Sequence, residues 1–248
     1  MFCDTHCHLF QEYYEDIDEI IKLAKENRVN RMIVAGCDDK SNKEVLSLLE
    51  KGEIYGTLGV HPEEVESFKE SDLEFIEKNL SHPKIIAIGE IGLDYHYEKE
   101  TKEKQIKLFE LQLALAEKYD LPVVIHSREA TQDTIECLKK YKVKGVIHSF
   151  SGSLETAKIY IKMGFLLGIN GVITFKNCNL KDVIKEVDLH SIVLETDSPY
   201  LTPVPFRGKR NEPSKVLTIA DYVSEIYHVS RETLSEITNA NIQRVFDI

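Results

Sequence analysis

The stretch Phe2-Cys-Asp-Thr-His-Cys-His8 starts as a short apolar segment and ends in two histidines. We predict a β-strand over residues 2–5 that runs into these histidines. Because side chains alternate along a strand, Asp4, His6 and His8 share one face, and two imidazoles at this spacing can reach one metal ion. The alternative for interleaved cysteines and histidines is a zinc knuckle. It needs a second ligand pair at knuckle spacing, which the sequence does not show.

Seven further apolar runs follow the first one, and segments of helical periodicity separate them. The intervals leave room for one strand and one helix each. Runs that are apolar throughout are typical of parallel strands buried on both faces. The eight predicted strands cover residues 2–5, 31–35, 54–60, 85–89, 122–125, 145–147, 165–169 and 191–194.

This alternation predicts an α/β fold, a (β/α)8 TIM barrel formed by a single domain over residues 1–248. The length agrees with the prediction, because such barrels typically have about 250 residues. The alternative is an open doubly wound sheet, which usually has fewer strands and often a glycine-rich phosphate loop after the first one. Here the first strand ends in histidines instead, so the barrel is favoured.

The segments between the strands carry helix signals. Asp16 is a candidate N-cap, Ser41-Asn-Lys-Glu44 has the pattern of a capping box, and Gly164 is a candidate for the glycine that ends a helix. The longer predicted helices cover residues 101–119, 153–163, 180–187, 214–227 and 231–246.

Several predicted strands end in residues that can bind metal ions. In a β/α barrel these ends converge on the C-terminal face, where active sites lie. Five of the nine histidines fall at such ends, and this concentration indicates a metal site more strongly than any lone histidine would. The five are His6, His8, His61, His126 and His148.

Two carboxylates occupy similar positions. Glu90 follows the apolar run Ile85-Ile-Ala-Ile-Gly89, and Asp197 follows Ile192-Val-Leu-Glu-Thr196. A carboxylate in such a place is costly unless it is paired or metal-bound. A salt bridge to a nearby lysine or arginine would satisfy either one alone. Together with the histidines they favour metal ligation, with Glu90 as the candidate bridge between two ions.

The composition limits the possible partners. The net charge of −11 and the pI of about 5.4 argue against binding nucleic acid through bulk charge. They do not exclude an enzyme that acts on nucleic acid, because bound metal ions invert the field locally. Five cysteines without a C-x-x-C motif predict reduced thiols and a cytoplasmic protein. No apolar run is long enough to span a membrane, and a monomer is expected.

The sequence resembles the TatD family of metal-dependent deoxyribonucleases, within the amidohydrolase-like barrels. The matching motifs occur in the family's order over nearly the whole chain. They are Asp4-Thr-His-Cys-His8, Gly59-Val-His-Pro62, Gly89-Glu-Ile-Gly-Leu-Asp-Tyr95, His126-Ser-Arg-Glu-Ala130, Gly145-Val-Ile-His-Ser-Phe150, Glu195-Thr-Asp-Ser-Pro-Tyr-Leu201 and Pro205-Phe-Arg-Gly-Lys-Arg-Asn211.

The resemblance implies a (β/α)8 fold and two divalent metal ions. One ion would be bound by His6, His8 and Asp197, the other by His126 and His148, and Glu90 would contact both. Mixed imidazole and carboxylate ligands suit Zn, Mn, Fe or Co, whereas Mg prefers oxygen ligands. The resemblance suggests Mg-supported cleavage of DNA, from the 3′ end of single strands, with DNA as a transient partner.

Further residues are candidates for the reaction itself. Asp197 can act as general base for the attacking water. His61, Arg128 and Arg207 are candidates to bind phosphate, and the arginine fork suits two phosphate oxygens. A helix-entry salt bridge for Arg128 and a solvated loop for Arg207 remain the alternatives. Stacking on bases and packing within loops are both open for the tyrosines of the rim, Tyr95, Tyr97 and Tyr200.

Two other hypotheses about the function remain open. The same ions could polarise the carbonyl of an ester or amide, such as a lactone, a cyclic amide or a D-aminoacyl-tRNA. The chain could also bind metals without turnover, as an interaction module. The basic stretch around Arg207 favours the nuclease, and a pocket closed over by rim loops would favour the small-substrate hydrolase.

Overall fold

The structure of the protein is a computed structural model that describes residues 1–96 and 99–248, without the side chain of Lys99. Within these residues eight strands form one sheet in sequence order, and the paired strands run parallel. This order confirms the predicted (β/α)8 barrel. The strands are β1 (Phe2–Cys7), β2 (Val29–Ala35), β3 (Ile54–Leu58), β4 (Ile85–Asp94), β5 (Val123–Arg128), β6 (Gly145–Ile147), β7 (Phe165–Ile169) and β8 (Ile192–Leu194).

Helices alternate with the strands, and two of them follow the last strand. Among the described residues, no helix is both long enough and apolar enough to cross a membrane. The helices are α1 (Ile17–Glu26), α2 (Asp39–Leu48), α3 (Glu70–Asn79), α4 (Lys102–Tyr119), α5 (Thr131–Leu138), α6 (Leu154–Lys162), α7 (Leu180–Ile184), α8 (Val216–Tyr227) and α9 (Arg231–Phe246).

The chain comprises two compact units. Unit 1 contains Met1–Val34 and Ser149–Ile248, and unit 2 contains Ala35–His148. In unit 1, β1 pairs with β2, β7 pairs with β8, and α8 and α9 pack against β1 and β8. In unit 2, β3 to β6 pair in order, and α4 packs against β4. The assignment of residues 1–248 to one domain stays a prediction.

Burial explains why the strands appear in the sequence as apolar runs. All ten residues of β4 and all five of β7 are buried. Strands buried on both faces lack the alternation of a half-exposed strand. Each fully buried aliphatic side chain contributes about 1.5–3 kcal/mol relative to an exposed one, so these strands supply much of the core's stabilisation.

Strand β4 is longer than predicted, and this changes the place of Glu90. We predicted that Glu90 follows the strand, but the structure places it inside β4. The strand continues because Ile91 and Leu93 are fully buried and pair with β5. Gly92 between them has φ +148°, and a Cβ there would lie 1.9 Å from the carbonyl oxygen of His126. Only glycine fits this close approach of the two strands.

Two of the three helix signals occur where the sequence predicts them. Asp16 caps α1 by accepting a backbone N–H, and Gly164 follows α6 with φ +93°. The capping box predicted at residues 41–44 was wrong. The N-cap of α2 is Asp38, whose Oδ1 accepts the N–H of Ser41 at 2.7 Å. In return, the hydroxyl oxygen of Ser41 accepts the N–H of Asp38 at 2.9 Å. The box therefore lies three residues earlier.

Candidate metal centre

In unit 1, His6, His8 and Asp197 come together. The two Nε2 atoms lie 3.3 Å apart. Oδ1 of Asp197 lies 3.9 Å from Nε2 of His6 and 3.5 Å from Nε2 of His8. Donor atoms around a tetrahedral ion with bonds of about 2.1 Å are about 3.4 Å apart. The spacing of the three side chains therefore fits ligands of one divalent ion.

The backbone fixes this group because the segment after β8 is bound to β1. The N–H of Asp197 donates to the carbonyl oxygen of His6 at 2.9 Å, and the N–H of His8 donates to that of Ser198 at 2.7 Å. Asp197 has φ +55°, a left-handed conformation that is unusual for a residue with a side chain. These contacts hold the carboxylate beside the two imidazoles before any ion binds.

Asp4 reinforces the same junction. Its Oδ1 accepts the N–H of Thr196 at 2.8 Å, and its Oδ2 accepts the Thr196 hydroxyl at 2.5 Å. Burial raises the pKa of the Asp4 carboxyl well above its usual range, although the bonds from Thr196 act in the opposite direction. Because side chains alternate along β1, Asp4 lies on the same face as His6. From there it bonds Thr196, the residue directly before Asp197.

In unit 2, three histidine rings surround the carboxylate of Glu90. Oε1 of Glu90 lies 2.9 Å from Nδ1 of His126, 3.1 Å from Nε2 of His148 and 3.5 Å from Nε2 of His61. Glu90 and His148 are buried. A buried carboxylate among imidazoles is costly unless it is paired or bound to a metal, so the group suits a second cation.

His126 lies between two carboxylates, one of which the sequence analysis missed. Nε2 of His126 lies 2.9 Å from Oδ2 of Asp94. Burial lowers the pKa of His126, but the bonds to Asp94 and Glu90 outweigh it and raise the pKa to about 9. An ion bound at Nδ1 would displace any proton from that nitrogen. The signal that could have found Asp94 is its spacing, four residues after Glu90 on the extended strand.

His61 has a different hydrogen-bond pattern. It follows β3 and caps the short 3-10 helix Pro62–Glu64, and its Nδ1 accepts the N–H of Glu63 at 3.3 Å. In a neutral ring the proton is then on Nε2, the nitrogen that faces Glu90. An Nε2–H on His61 would face Oε1 of Glu90, 3.5 Å away, and the position of His61 would also suit an ion shared with Glu90 and His126.

Glu195 is a second residue that the sequence analysis left without a role. It is fully buried, and its Oε1 accepts the N–H of Ser149 at 2.6 Å. Asn170 donates to the hydroxyl of the same serine at 2.8 Å. Because Ser149 directly follows His148 in the chain, these bonds fix the backbone that carries a candidate ligand.

The predicted phosphate-binding arginines lie in different settings. Arg128 is the exposed last residue of β5. Arg207 is exposed, and its guanidinium lies 4.0 Å above the ring of Phe175. The guanidinium of the neighbouring Arg210 lies 4.8 Å from the ring centroid of Tyr14 and donates to the carbonyl oxygen of Tyr13, so it supports the loop. The bond from Nη1 of Arg207 to the carbonyl oxygen of Thr202 is long, at 3.4 Å, so of these two arginines Arg207 is the better candidate for a phosphate.

The three rim tyrosines also differ. Tyr95 is buried and donates to Oδ2 of Asp133 at 2.8 Å, which favours loop packing. Tyr97 lies outside the residues that the structure describes. Tyr200 is 50% exposed, which leaves it able to contact a ligand.

Comparisons with known proteins agree over the full length of the chain. The family described as TatD related DNase matches residues 3–247. The chain is 41% identical over 254 residues to the uncharacterized metal-dependent hydrolase YabD of Bacillus subtilis (strain 168), with 100% of both covered. It is 33% identical over 254 residues to the uncharacterized metal-dependent hydrolase YcfH of Escherichia coli (strain K12), with 99% of this chain and 95% of YcfH covered.

A solved structure supports the same assignment. The crystal structure of YjjV, a TatD homolog from Escherichia coli K12, matches with a TM-score of 0.94 and 31% identity, covering 100% of this chain and 98% of YjjV. The fold and the histidine–carboxylate groups define a metal-dependent hydrolase. The chain belongs to the TatD family, as its motifs implied.

Proposed function

We propose that this TatD-family hydrolase is a deoxyribonuclease that removes nucleotides from the 3′ end of single-stranded DNA. The observation that carries the proposal is the presence of two groups of imidazole and carboxylate ligands, one in each unit. Two-ion sites suit the hydrolysis of phosphodiesters, because the ions stabilise both the attacking and the leaving oxygen. The family description as TatD related DNase supports the same substrate class.

The proposed site contains two divalent ions, Mg, Mn or Zn. In this fold the carboxyl ends of the strands meet at one face. From the geometry of each group, His6, His8 and Asp197 would hold one ion, and Glu90, His126 and His148 would hold the other. Bound at these residues, the ions would supply a more acidic water and positive charge for the phosphate oxygens.

The protein's own side chains then position and transfer protons. Oδ1 of Asp197 is the oxygen near the imidazoles, so we assign Oδ2 to accept the proton of the attacking water. His61 donates its Nε2–H to a phosphate oxygen, and Arg128 and Arg207 bind neighbouring phosphates. Attack at phosphorus breaks the bond to the 3′ oxygen, which takes a proton from solvent. The products are a nucleoside 5′-monophosphate and a strand shortened by one nucleotide.

The expected contact with DNA is transient. The net charge of −11 disfavours long-range attraction, so local arginines and ions must supply the affinity. We further propose that the protein acts as a monomer in the cytoplasm. Light scattering of the purified protein tests the oligomeric state.

The test is a cleavage assay on single-stranded DNA in Mg²⁺ or Mn²⁺. Strands labelled at the 5′ end should yield a stepwise ladder, whereas strands labelled at the 3′ end should release labelled mononucleotide at once. A chelator and Glu90→Gln should both abolish cleavage. Glu77→Gln is the matched control, because Glu77 bonds Lys118 on the surface and should leave cleavage unchanged.

The contrary outcome is equally clear. If the protein binds two equivalents of Mn²⁺ and shortens no DNA strand, the deoxyribonuclease proposal is wrong. Lactone, ester and aminoacyl-tRNA substrates are then the next to assay, because the hydrolase assignment does not depend on DNA.

A further inference from the structure

A row of aromatic rings extends outward from His8 in unit 1. The ring of His8 lies 6.1 Å from that of Tyr200, and the ring of Tyr200 lies 5.9 Å from that of Tyr13, both in T-shaped contacts. Phe10 completes the group, 6.0 Å from His8 and 6.4 Å from Tyr13. We refer to Phe10, Tyr13 and Tyr200 as the aromatic group. It adjoins a candidate metal ligand and does not contribute a ligand itself.

Tyr200 is held rigidly although half of it faces solvent. Its N–H donates to the carbonyl oxygen of Asp197 at 2.9 Å, and its own carbonyl accepts the side-chain amide of Asn211 at 2.6 Å. Its hydroxyl donates to the hydroxyl of Tyr13 at 2.9 Å. The polar end of the ring is therefore satisfied within the protein. Tyr200 as a whole is 50% exposed.

Another exposed tyrosine shows why this arrangement is distinctive. Tyr119, at the end of α4, is 43% exposed, but Lys118 lies 5.1 Å from its ring centroid and its hydroxyl bonds Glu77. Single exposed apolar groups of that kind are common and need no function. Tyr200 instead belongs to a continuous row that starts at His8, and its neighbouring rings meet it in T-shaped contacts rather than in parallel stacks.

We infer that Tyr200, supported by Tyr13, is the stacking platform for a nucleobase next to the bond that is cleaved. The inference rests on the proposed deoxyribonuclease function and specifies the substrate as a base-bearing strand. Flat bases stack on exposed aromatic rings at little cost in side-chain entropy when the ring is already fixed. Because every base has such a face, the platform would select for nucleotides without selecting a sequence.

The test combines a variant with a modified substrate. Strands that carry an abasic residue at the terminal or the penultimate 3′ position lack the base that would stack. On one of these two abasic strands, the wild type should have a KM about tenfold higher than on the normal strand, with little change in kcat. Tyr200→Ala should raise KM on the normal strand by about the same factor and have no further effect on that abasic strand.

Controls separate stacking from structural damage. Tyr200→Phe keeps the ring, loses the bond to Tyr13, and should retain most of the affinity. Tyr119→Ala should behave as the wild type on every strand. The metal stoichiometry of Tyr200→Ala should equal that of the wild type, because the ring contributes no ligand.

Three results would overturn the inference. If the wild type cleaves normal and abasic strands alike, the base is not bound and the deoxyribonuclease proposal stands without the platform. If Tyr200→Ala loses as much on the abasic strands as on the normal strand, the ring has a structural role only. If the wild type cleaves no strand at all, the proposed function fails, and the platform fails with it.

Discussion

Nε2 of His126 lies 2.9 Å from Oδ2 of Asp94, on the opposite side of the ring from Glu90. Asp94 is 2% exposed, and its Oδ1 accepts the N–H of His96 at 2.8 Å, so the carboxylate is fixed in place. A carboxylate in this position orients the ring and keeps the proton on Nε2, which leaves Nδ1 for a metal ion.

We expect Asp94→Asn to lower the affinity for the ion bound by His126 about 10–100-fold. The amide oxygen can still accept the N–H of His96, but the amide nitrogen can only donate to the ring. The proton of a neutral His126 would then move to Nδ1, the nitrogen that faces Glu90. Competition with a chromophoric chelator measures the affinity of each variant.

The control for this experiment is Asp133→Asn. Asp133 lies on α5 and bonds Tyr95 and Lys102, away from the imidazoles. It should bind metal as the wild type does. An unchanged affinity in Asp94→Asn would show that His126 does not bind an ion through Nδ1.

The bond between Asp4 and Thr196 gives a prediction about stability. In Thr196→Val the shape of the side chain is kept, but the buried carboxyl of Asp4 loses the hydroxyl bonded to its Oδ2. The N–H of Ser198 also loses its acceptor, which lies 3.1 Å away. Because a buried polar group without a partner costs about 1–3 kcal/mol, we expect the free energy of unfolding to fall by about 2 kcal/mol.

Urea denaturation measures this change, and Thr5→Val is the comparison. The Thr5 hydroxyl makes a bond of 3.0 Å to the carbonyl oxygen of Leu194, at the same junction of β1 and β8. Its loss should cost about 1 kcal/mol and leave metal binding intact. Thr196→Val should also weaken metal binding, since Asp197 follows it directly. Equal stability of the two variants would contradict a special role for Asp4.

The sequence predicted the fold because its signal is local and repeated. Each of the eight strands overlaps a predicted apolar run, and burial on both faces is the reason that the runs carry so few polar residues. The errors lie at boundaries. Glu90 was placed after its strand because Gly89 and the carboxylate look like an end, whereas the pairing of Ile91 and Leu93 with β5 continues it.

The candidate ligands could be proposed from the sequence because five of the nine histidines and two carboxylates fall at predicted strand ends. Asp94 and Glu195 were missed for another reason. Their roles depend on contacts with His126 and Ser149, which are far away in the chain. Side-chain directions in the basic loop were equally hidden, since only the structure shows that Arg207 lies over Phe175 and Arg210 over Tyr14.

We expect Arg207 to bind the phosphate backbone of the substrate. Its guanidinium lies 4.0 Å above Phe175, a cation–π contact that presents the charge at a defined place. Each phosphate neutralised on a single strand contributes a slope of about −0.7 to the dependence of log affinity on log salt. We expect Arg207→Ala to raise KM for single-stranded DNA and to reduce the magnitude of this slope by about 0.7.

A salt series of KM values measures the slope, with two further variants for comparison. Arg207→Lys keeps the charge but not the planar fork, so the slope should remain while KM rises, because a lysine cannot hold two phosphate oxygens in the same way. Lys158→Ala removes an exposed charge from α6 and should change neither quantity. If Arg207→Ala retains the wild-type slope, no phosphate is bound there, and the loop interpretation of Arg207 is correct.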